Sequence, residues 1–185
     1  MNKKESILQA TLELVVRNGI QNTPLSLITK EANVGMGTVY NYFKTKEDII
    51  RELYLKIKIE SADYILKDYQ KDLHIKKRYF LIIRNMVDYY LNNPFEFLFM
   101  EQLKFSPIID TKTKLEATVY IEEMKNLFEA GQIQEIIKKS DIQQQMYFVY
   151  GALSSLIGMH IMGTTKLNAA AIEKAIKASW DAIKE

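Results

Sequence analysis

The sequence predicts an all-α protein. It reads as three short N-terminal helices, one long connecting helix and a larger bundle of five, about nine helices in all. Three observations carry this. Nearly every segment repeats its apolar residues at helical period, and none alternates as strands do between hairpin turns. Glycine and proline are scarce, seven and three in 185 residues, and most of them punctuate the periodic segments, as at Gly19, Pro24, Pro94, Pro107, Gly131 and Gly163. The stretch NVGMGTVYNYF, residues 33–43, then packs two glycines and three aromatics without a charge into a chain of long charged helices. Such a composition suits a surface that something touches better than it suits a core.

Composition narrows the classes. A chain of 185 residues can hold one domain with a real core, or two small units sharing a helix. There is no cysteine, which removes disulfides and thiolate metal sites and fits a reducing compartment. The N-terminus, MNKKESILQATLEL, is basic, but Gln9 and Glu13 break its apolar run. No run approaches the ~18 apolar residues of a membrane span. A cytoplasmic protein with no membrane partner is expected. Net charge is +2, with eight Lys/Arg against six Asp/Glu in residues 1–56 and seventeen of each beyond. The excess is small and lies wholly in the first third. If this chain binds nucleic acid, geometry must contribute more than bulk charge.

The first helix is predicted over residues 3–17, with Ile7, Leu8, Leu12, Leu14, Val15 and Val16 on its apolar side. Gly19 and Ile20 read as the left-handed cap and apolar residue of a Schellman-type stop. Thr23 and Pro24 open a second, short helix ending near Ala32, threonine as N-cap and proline at the first helical position. Asn33 suits the left-handed residue of a tight turn, and Val34 can point inward. A third short helix covers residues 36–42. Thr45, followed by Glu47 and Asp48, opens the long helix, which runs to about Lys71. Further helices are predicted over residues 75–92, 94–104, 111–130, 141–163 and 168–184. The expected division is a recognition domain over residues 1–46 and a ligand-binding and dimerisation domain over 47–185.

At 100° per residue, Val39 and Phe43 share one side of the third helix and are both apolar, so that side faces inward. Asn41 and Gly37 then point outward with Thr38 beside them, and Tyr40 and Tyr42 stand on the flanks. A short helix, a three-residue turn and a second short helix, with a third packed behind, make the helix-turn-helix that reads a DNA major groove. Glycine lets the backbone approach closely, and Gly35 and Gly37 free the helix N-terminus to meet a phosphate. Thr and Asn hydrogen-bond base edges, Asn bidentately to adenine, while phenol hydroxyls reach phosphates. Two alternatives stay open: Tyr40 and Tyr42 as core aromatics, and Met36 packed on the second helix instead of on DNA.

The run ITKEANVGMGTVYNYFKTKEDII resembles the signature of the TetR family of transcriptional repressors, its glycine, Thr-Val, Tyr, Tyr-Phe and Lys-Glu positions matching in order and spacing. The likeness of motif covers about residues 4–52, and helix number and length extend it loosely over the chain. It implies a homodimer that binds a palindromic double-stranded DNA operator and leaves it when a small-molecule ligand enters the C-terminal domain. The residues themselves show no nucleophile elbow and no phosphate loop, so no catalytic residue and no cofactor are expected. The resemblance carries phosphate and base contacts onto Thr23, Gly35, Met36, Gly37, Thr38, Tyr40, Asn41, Tyr42 and Lys46. There are departures: Thr29 stands for the usual alanine, Asn33 for the usual turn glycine, and Gly35 for the usual capping serine. A glycine cap is only a few tenths of a kcal/mol poorer than serine, so a contact at Gly35 would be through its backbone.

In the larger half, residues 79–162 hold thirteen of the twenty aromatics, which suits either a core or a cavity lining. As a lining, Tyr89, Phe97, Met100, Tyr120, Met124 and Tyr147 fit an apolar or flat aromatic ligand. Glu101 and Glu116 read either as anchors for a cationic group or as solvated carboxylates. Over 141–163, Gly151, Ser154 or Ser155, and Gly158 make one face of small residues, and the next helix ends with Trp180 and Ile183. Gly151, Ser155, Gly158 and Trp180 are the expected dimer contacts in a four-helix bundle of two copies; burial within one chain is the alternative. Neither His74 nor His160 has a glutamate three residues before it, where Lys71 and Ile157 stand, so no metal is expected. The favoured reading is a DNA-binding transcriptional regulator. Its rival is a helical ligand-binding or interaction protein that does not bind DNA.

Overall fold

The computed structural model describes the backbone of residues 2–116 and 119–185, and the side chains of those outside 114–120. Ten helices are described: α1 (Lys3–Asn18), α2 (Leu25–Glu31), α3 (Met36–Tyr42), α4 (Lys46–Ile65), α5 (Ile75–Asn92), α6 (Pro94–Leu103), α7 (Thr111–Glu116), α8 (Val119–Ile133), α9 (Ile142–Ile161) and α10 (Ala169–Ile183). The helix predicted over 111–130 corresponds to α7 and α8, and residues 117 and 118 between them lie outside the described residues. Among the described residues no helix is long and apolar enough to cross a membrane. Packing divides the chain into two compact units, Met1–Ile59 with Asn93–Ala117, and Glu60–Asn92 with Thr118–Glu185. That line falls within α4, whereas the division expected at residue 46 follows the motif.

The first unit is built around α1, which packs on α2, α3 and α6. Its core joins Ile7, Leu8, Leu12 and Val15 to Ile28 of α2, Val39 of α3, Ile49, Ile50 and Leu53 of α4, and Phe99 and Leu103 of α6. Each such side chain contributes ~1.5–3 kcal/mol by leaving water. Polar contacts fix the register of the helices. Gln102 Nε2 donates to the Val15 carbonyl at 3.1 Å, and Arg51 Nε to the Ile108 carbonyl at 3.1 Å. The start of α4 is capped as expected: Thr45 Oγ1 accepts from the Asp48 N–H at 3.1 Å, and Asp48 Oδ2 accepts from the Thr45 N–H at 3.0 Å.

Two local expectations in this unit are corrected. Gly19 has the positive φ of +81°, but its ψ of 160° is not left-handed helical, and its N–H simply extends the last turn to the Val15 carbonyl. Thr23 is not a cap either. Pro24 precedes α2 without a side-chain cap, and the Thr23 hydroxyl turns back to donate to the Gly19 carbonyl at 2.9 Å. Asn33 takes the left-handed conformation foreseen for it, with φ of +51°.

In the second unit α5 packs on α8, α9 and α10, and α9 on α8 and α10. Tyr79, Phe128 and Trp180 stack at the centre, the Tyr79 ring 5.1 Å from Trp180 and 6.3 Å from Phe128. The Tyr79 hydroxyl meets Ser179 Oγ at 2.8 Å, and burial pushes its phenol well above the ordinary tyrosine range. The long helix ends at Ile65, six residues before the predicted stop at Lys71. Buried Asn85 donates to the Ile65 and Lys67 carbonyls, at 3.1 and 3.3 Å, and Asp68 turns the chain with φ of +62°. Likewise α8 runs past Gly131 to Ile133, and Glu135, at φ of +55°, turns the chain after it. Gly131 is small for a different reason: a Cβ there would lie 2.5 Å from Ile137 Cδ1. The starts of α9 and α10 are capped by Asp141 and Asn168, which accept from the Gln144 and Ala171 N–H groups.

Candidate DNA-recognition site

The turn from α2 to α3 is set by Asn33 in the left-handed region and by Val34, half-buried against the core. The Val34 N–H closes on the Thr29 carbonyl at 3.0 Å. Thr29, where an alanine is usual, is accommodated because its hydroxyl donates to the Ser26 carbonyl at 2.8 Å. α3 then divides sharply between two environments. Val39 is 0% and Phe43 5% exposed, whereas Tyr40 is 55% and Tyr42 48% exposed. Asn41 and Gly37 are exposed and Thr38 half-buried. Tyr40 and Tyr42 are therefore not core aromatics. Met36, at 38%, lies at the surface too.

Gly35 and Gly37 are open. A Cβ added at either meets nothing within 4 Å, and Gly35 has an ordinary extended backbone with φ of −73°. Neither the packing around these two positions nor the Gly35 backbone asks for glycine. Thr23 is different from the rest of the candidate set: it is 0% exposed and its hydroxyl is spent on Gly19, so its side chain offers nothing to a phosphate. The signal was available in part, since a threonine four residues after Gly19 can bond back to that carbonyl. Lys46 is half-buried, and its ammonium donates to the Ile20 carbonyl at 2.9 Å.

The candidates in the larger half scatter. Tyr89, Phe97, Met100 and Met124 are buried in packed surroundings, and half-buried Glu101 lies 3.7 Å from the Lys104 ammonium. The Glu116 and Tyr120 side chains lie outside the described residues. Tyr147 is corrected: it is 65% exposed on α9 and its hydroxyl accepts from Gln143, so it lines no interior space. A void between α5, α9 and α10, lined by Val87, Leu153, Ile157 and Ile172 among others, measures about 10 Å³. That is at the limit for one water and far below a ligand pocket of ~300–1,000 Å³. A wider open groove of about 980 Å³, lined by residues that include Ile137, Lys138, Gln144, Phe148 and Ile183, contains none of the predicted ligand residues.

Of the expected dimer contacts, Ser155 is exposed and Gly151 and Gly158 half-exposed, while Trp180 is corrected. It is 4% exposed within the single chain, against Tyr79 and Phe80, and has no area left to give a partner. The sequence reading missed the apolar residues beside the small ones. Phe148 is 62% and Met159 42% exposed, and with Ala152 and Ser155 they make one continuous face of α9, past whose end lies Met162, 71% exposed. Their spacing of three and four was legible, but so was a core helix with the same spacing.

A short helix backed by Val39 and Phe43, presenting tyrosines, asparagine and open glycines from a tight turn, defines a helix-turn-helix DNA-binding regulator. Residues 7–53 match the model of the bacterial regulatory proteins of the tetR family, and residues 74–184 that of the tetracyclin repressor-like C-terminal domain. The chain belongs to the TetR family of DNA-binding transcriptional regulators. It is 22% identical over 178 residues to the fatty acid metabolism regulator protein of Bacillus subtilis (strain 168), covering 94% of this chain and 91% of the relative. It shares its fold with a TetR family transcription regulator from Marinobacter aquaeolei VT8, at TM-score 0.90, 19% identity, and coverage of 99% and 96%. A further structure of this fold is the regulator FadR from Bacillus subtilis in complex with stearoyl-CoA, at TM-score 0.77, 20% identity, and coverage of 97% and 98%.

Proposed function

We propose that this protein is a dimeric repressor in which α3 reads a palindromic operator. Asn41 and Thr38 face base edges, Tyr40 and Tyr42 contact the phosphates on either side, and Gly35 and Gly37 let the backbone close on the groove, with Met36 at the rim. One observation carries the reading: the apolar side of α3 is wholly buried while large aromatics on the other side stand in solvent. Exposed tyrosines flanking an asparagine leave hydration to be exchanged for a partner's surface. The test is a gel shift with the DNA upstream of the protein's own gene. A discrete complex, lost on a scrambled duplex, is expected. Absence of any shift at micromolar protein would favour the rival reading, an interaction protein that does not bind DNA.

Dimerisation belongs to this proposal because two readers must sit ~34–36 Å apart to enter successive major grooves. The exposed face of α9, from Phe148 through Ala152 and Ser155 to Met159, supports pairing there, with Gly151 and Gly158 at its margin letting helices approach. Control by a small apolar ligand completes it. The stearoyl-CoA held by the Bacillus subtilis FadR carries an apolar acyl chain, joined to a large and charged coenzyme A. The small void between α5, α9 and α10 means that such a ligand would have to open packed helices there, or bind elsewhere. Because ligand and operator are linked through one equilibrium, the ligand must bind the free dimer more tightly than the operator-bound dimer.

A further inference from the structure

The chain has no cysteine, so its eight methionines hold all of its sulfur. Met86, Met100 and Met124 are buried and Met146 is half-buried, whereas Met36, Met159 and Met162 are exposed. Met159 lies on the α9 face offered for pairing, with Met162 past its end. Met36 is placed differently. It is the first residue of α3, and Tyr40, one turn on along the same side, stands in solvent with it. Its neighbours on both sides are glycines, and a Cβ at either would meet nothing within 4 Å. No adjoining side chain screens the thioether, a group that proteins usually bury.

Resting on the reading of α3 given above, we infer that Met36 is a site of peroxide oxidation that takes the protein off its operator. The sulfur lone pair attacks one oxygen of the peroxide, and an S–O bond forms as the O–O bond breaks. Sulfur is oxidised and the peroxide reduced. With hydrogen peroxide, the proton of the attacked oxygen passes to the departing one, which leaves as water. The product is a polar sulfoxide in place of an apolar thioether. In the free protein its oxygen is hydrated. On the operator it would lose the apolar contact a thioether makes with a thymine methyl, and would set an acceptor without a donor beside phosphates. The operator in turn covers the sulfur, so DNA and oxidant compete for the same atom, and a sulfoxide reductase restores binding.

The experiment uses the full chain, the duplex it selects from random DNA, and a scrambled duplex of equal length. Protein is treated with hydrogen peroxide, with and without the selected duplex, and each methionine is followed by mass spectrometry of its peptide. Met36 is expected to oxidise well ahead of Met86, Met100 and Met124, whose survival reports an intact core, and to be protected by the duplex. Operator affinity of treated wild type should fall about ten-fold or more, the loss that one unsatisfied acceptor brings, and should return on incubation with a methionine sulfoxide reductase. In Met36→Leu, treated and untreated protein should bind alike, whatever the affinity of the variant itself. Equal losses in wild type and Met36→Leu overturn the assignment and move the effect to another methionine. Oxidation of Met36 at one rate with and without the duplex overturns it too, and decides alone if Met36→Leu does not bind. So does an affinity unchanged after Met36 is fully converted. A wild-type chain that binds neither duplex before treatment overturns the reader itself, and the assignment with it.

Discussion

Glycine at position 37 has no packing role inside the protein, because a methyl added there meets nothing within 4 Å. Gly37→Ala should therefore raise stability by ~0.5–1 kcal/mol, since alanine is the better helix former. It should at the same time weaken DNA binding, if the backbone of α3 meets the groove. Thermal unfolding and operator affinity, measured on one preparation, check both signs. Gly131→Ala makes the opposite case. The same propensity gain is set against a Cβ 2.5 Å from the Cδ1 of fully buried Ile137, and overpacking of that kind costs ~1–3 kcal/mol. A lower melting temperature is expected. Tyr42→Phe removes only a hydroxyl; it should weaken operator and scrambled duplex by a similar factor and leave the salt slope unmoved, because a neutral phenol releases no counterion. At this scale the outward faces of Tyr40, Asn41 and Tyr42 were legible from 100° geometry. The fate of Thr23 was legible only in part, through its spacing of four from Gly19, and that of Lys46 was not, because it bonds a carbonyl 26 residues away that no local pattern displays.

Helix starts were more legible than helix ends, for a physical reason. Thr45, Asp141 and Asn168 each accept a hydrogen bond from an N–H three residues on, so the signal sits within one turn of sequence. The end of α4 depends instead on Asn85, 20 residues beyond Ile65, and no local pattern can announce it. The same holds at the end of α8, where glycine marks a close approach by Ile137 and glutamate takes the left-handed turn. Thr45→Ala should cost ~1 kcal/mol by leaving the Asp48 N–H without its cap. Chemical denaturation checks it, and the loss should appear as a lower midpoint at constant slope.

For the molecule as a whole, the all-α class and the reader were legible because both rest on periodicity and on one short dense motif. The larger half was not. Aromatic and methionine stripes look alike whether they fill a core, as Tyr89, Phe97 and Met124 do, or line a cavity, and Trp180 turned inward instead of toward a partner. The dimer is tested by Gly158→Leu, whose added bulk at the margin of the α9 face should weaken association where helices approach closely. Sedimentation velocity should show a shift toward monomer, and an undisturbed dimer would count against this interface. Most direct for the reader itself is the affinity of wild-type and Asn41→Ala protein for operator and scrambled duplex. With Asn41 on base edges, the substitution should cost ~1–3 kcal/mol on the operator, relax preference at one base pair per half-site, and leave the scrambled duplex nearly unaffected. Equal weakening on both duplexes, or none on either, would contradict the assignment of α3 as the helix that reads sequence.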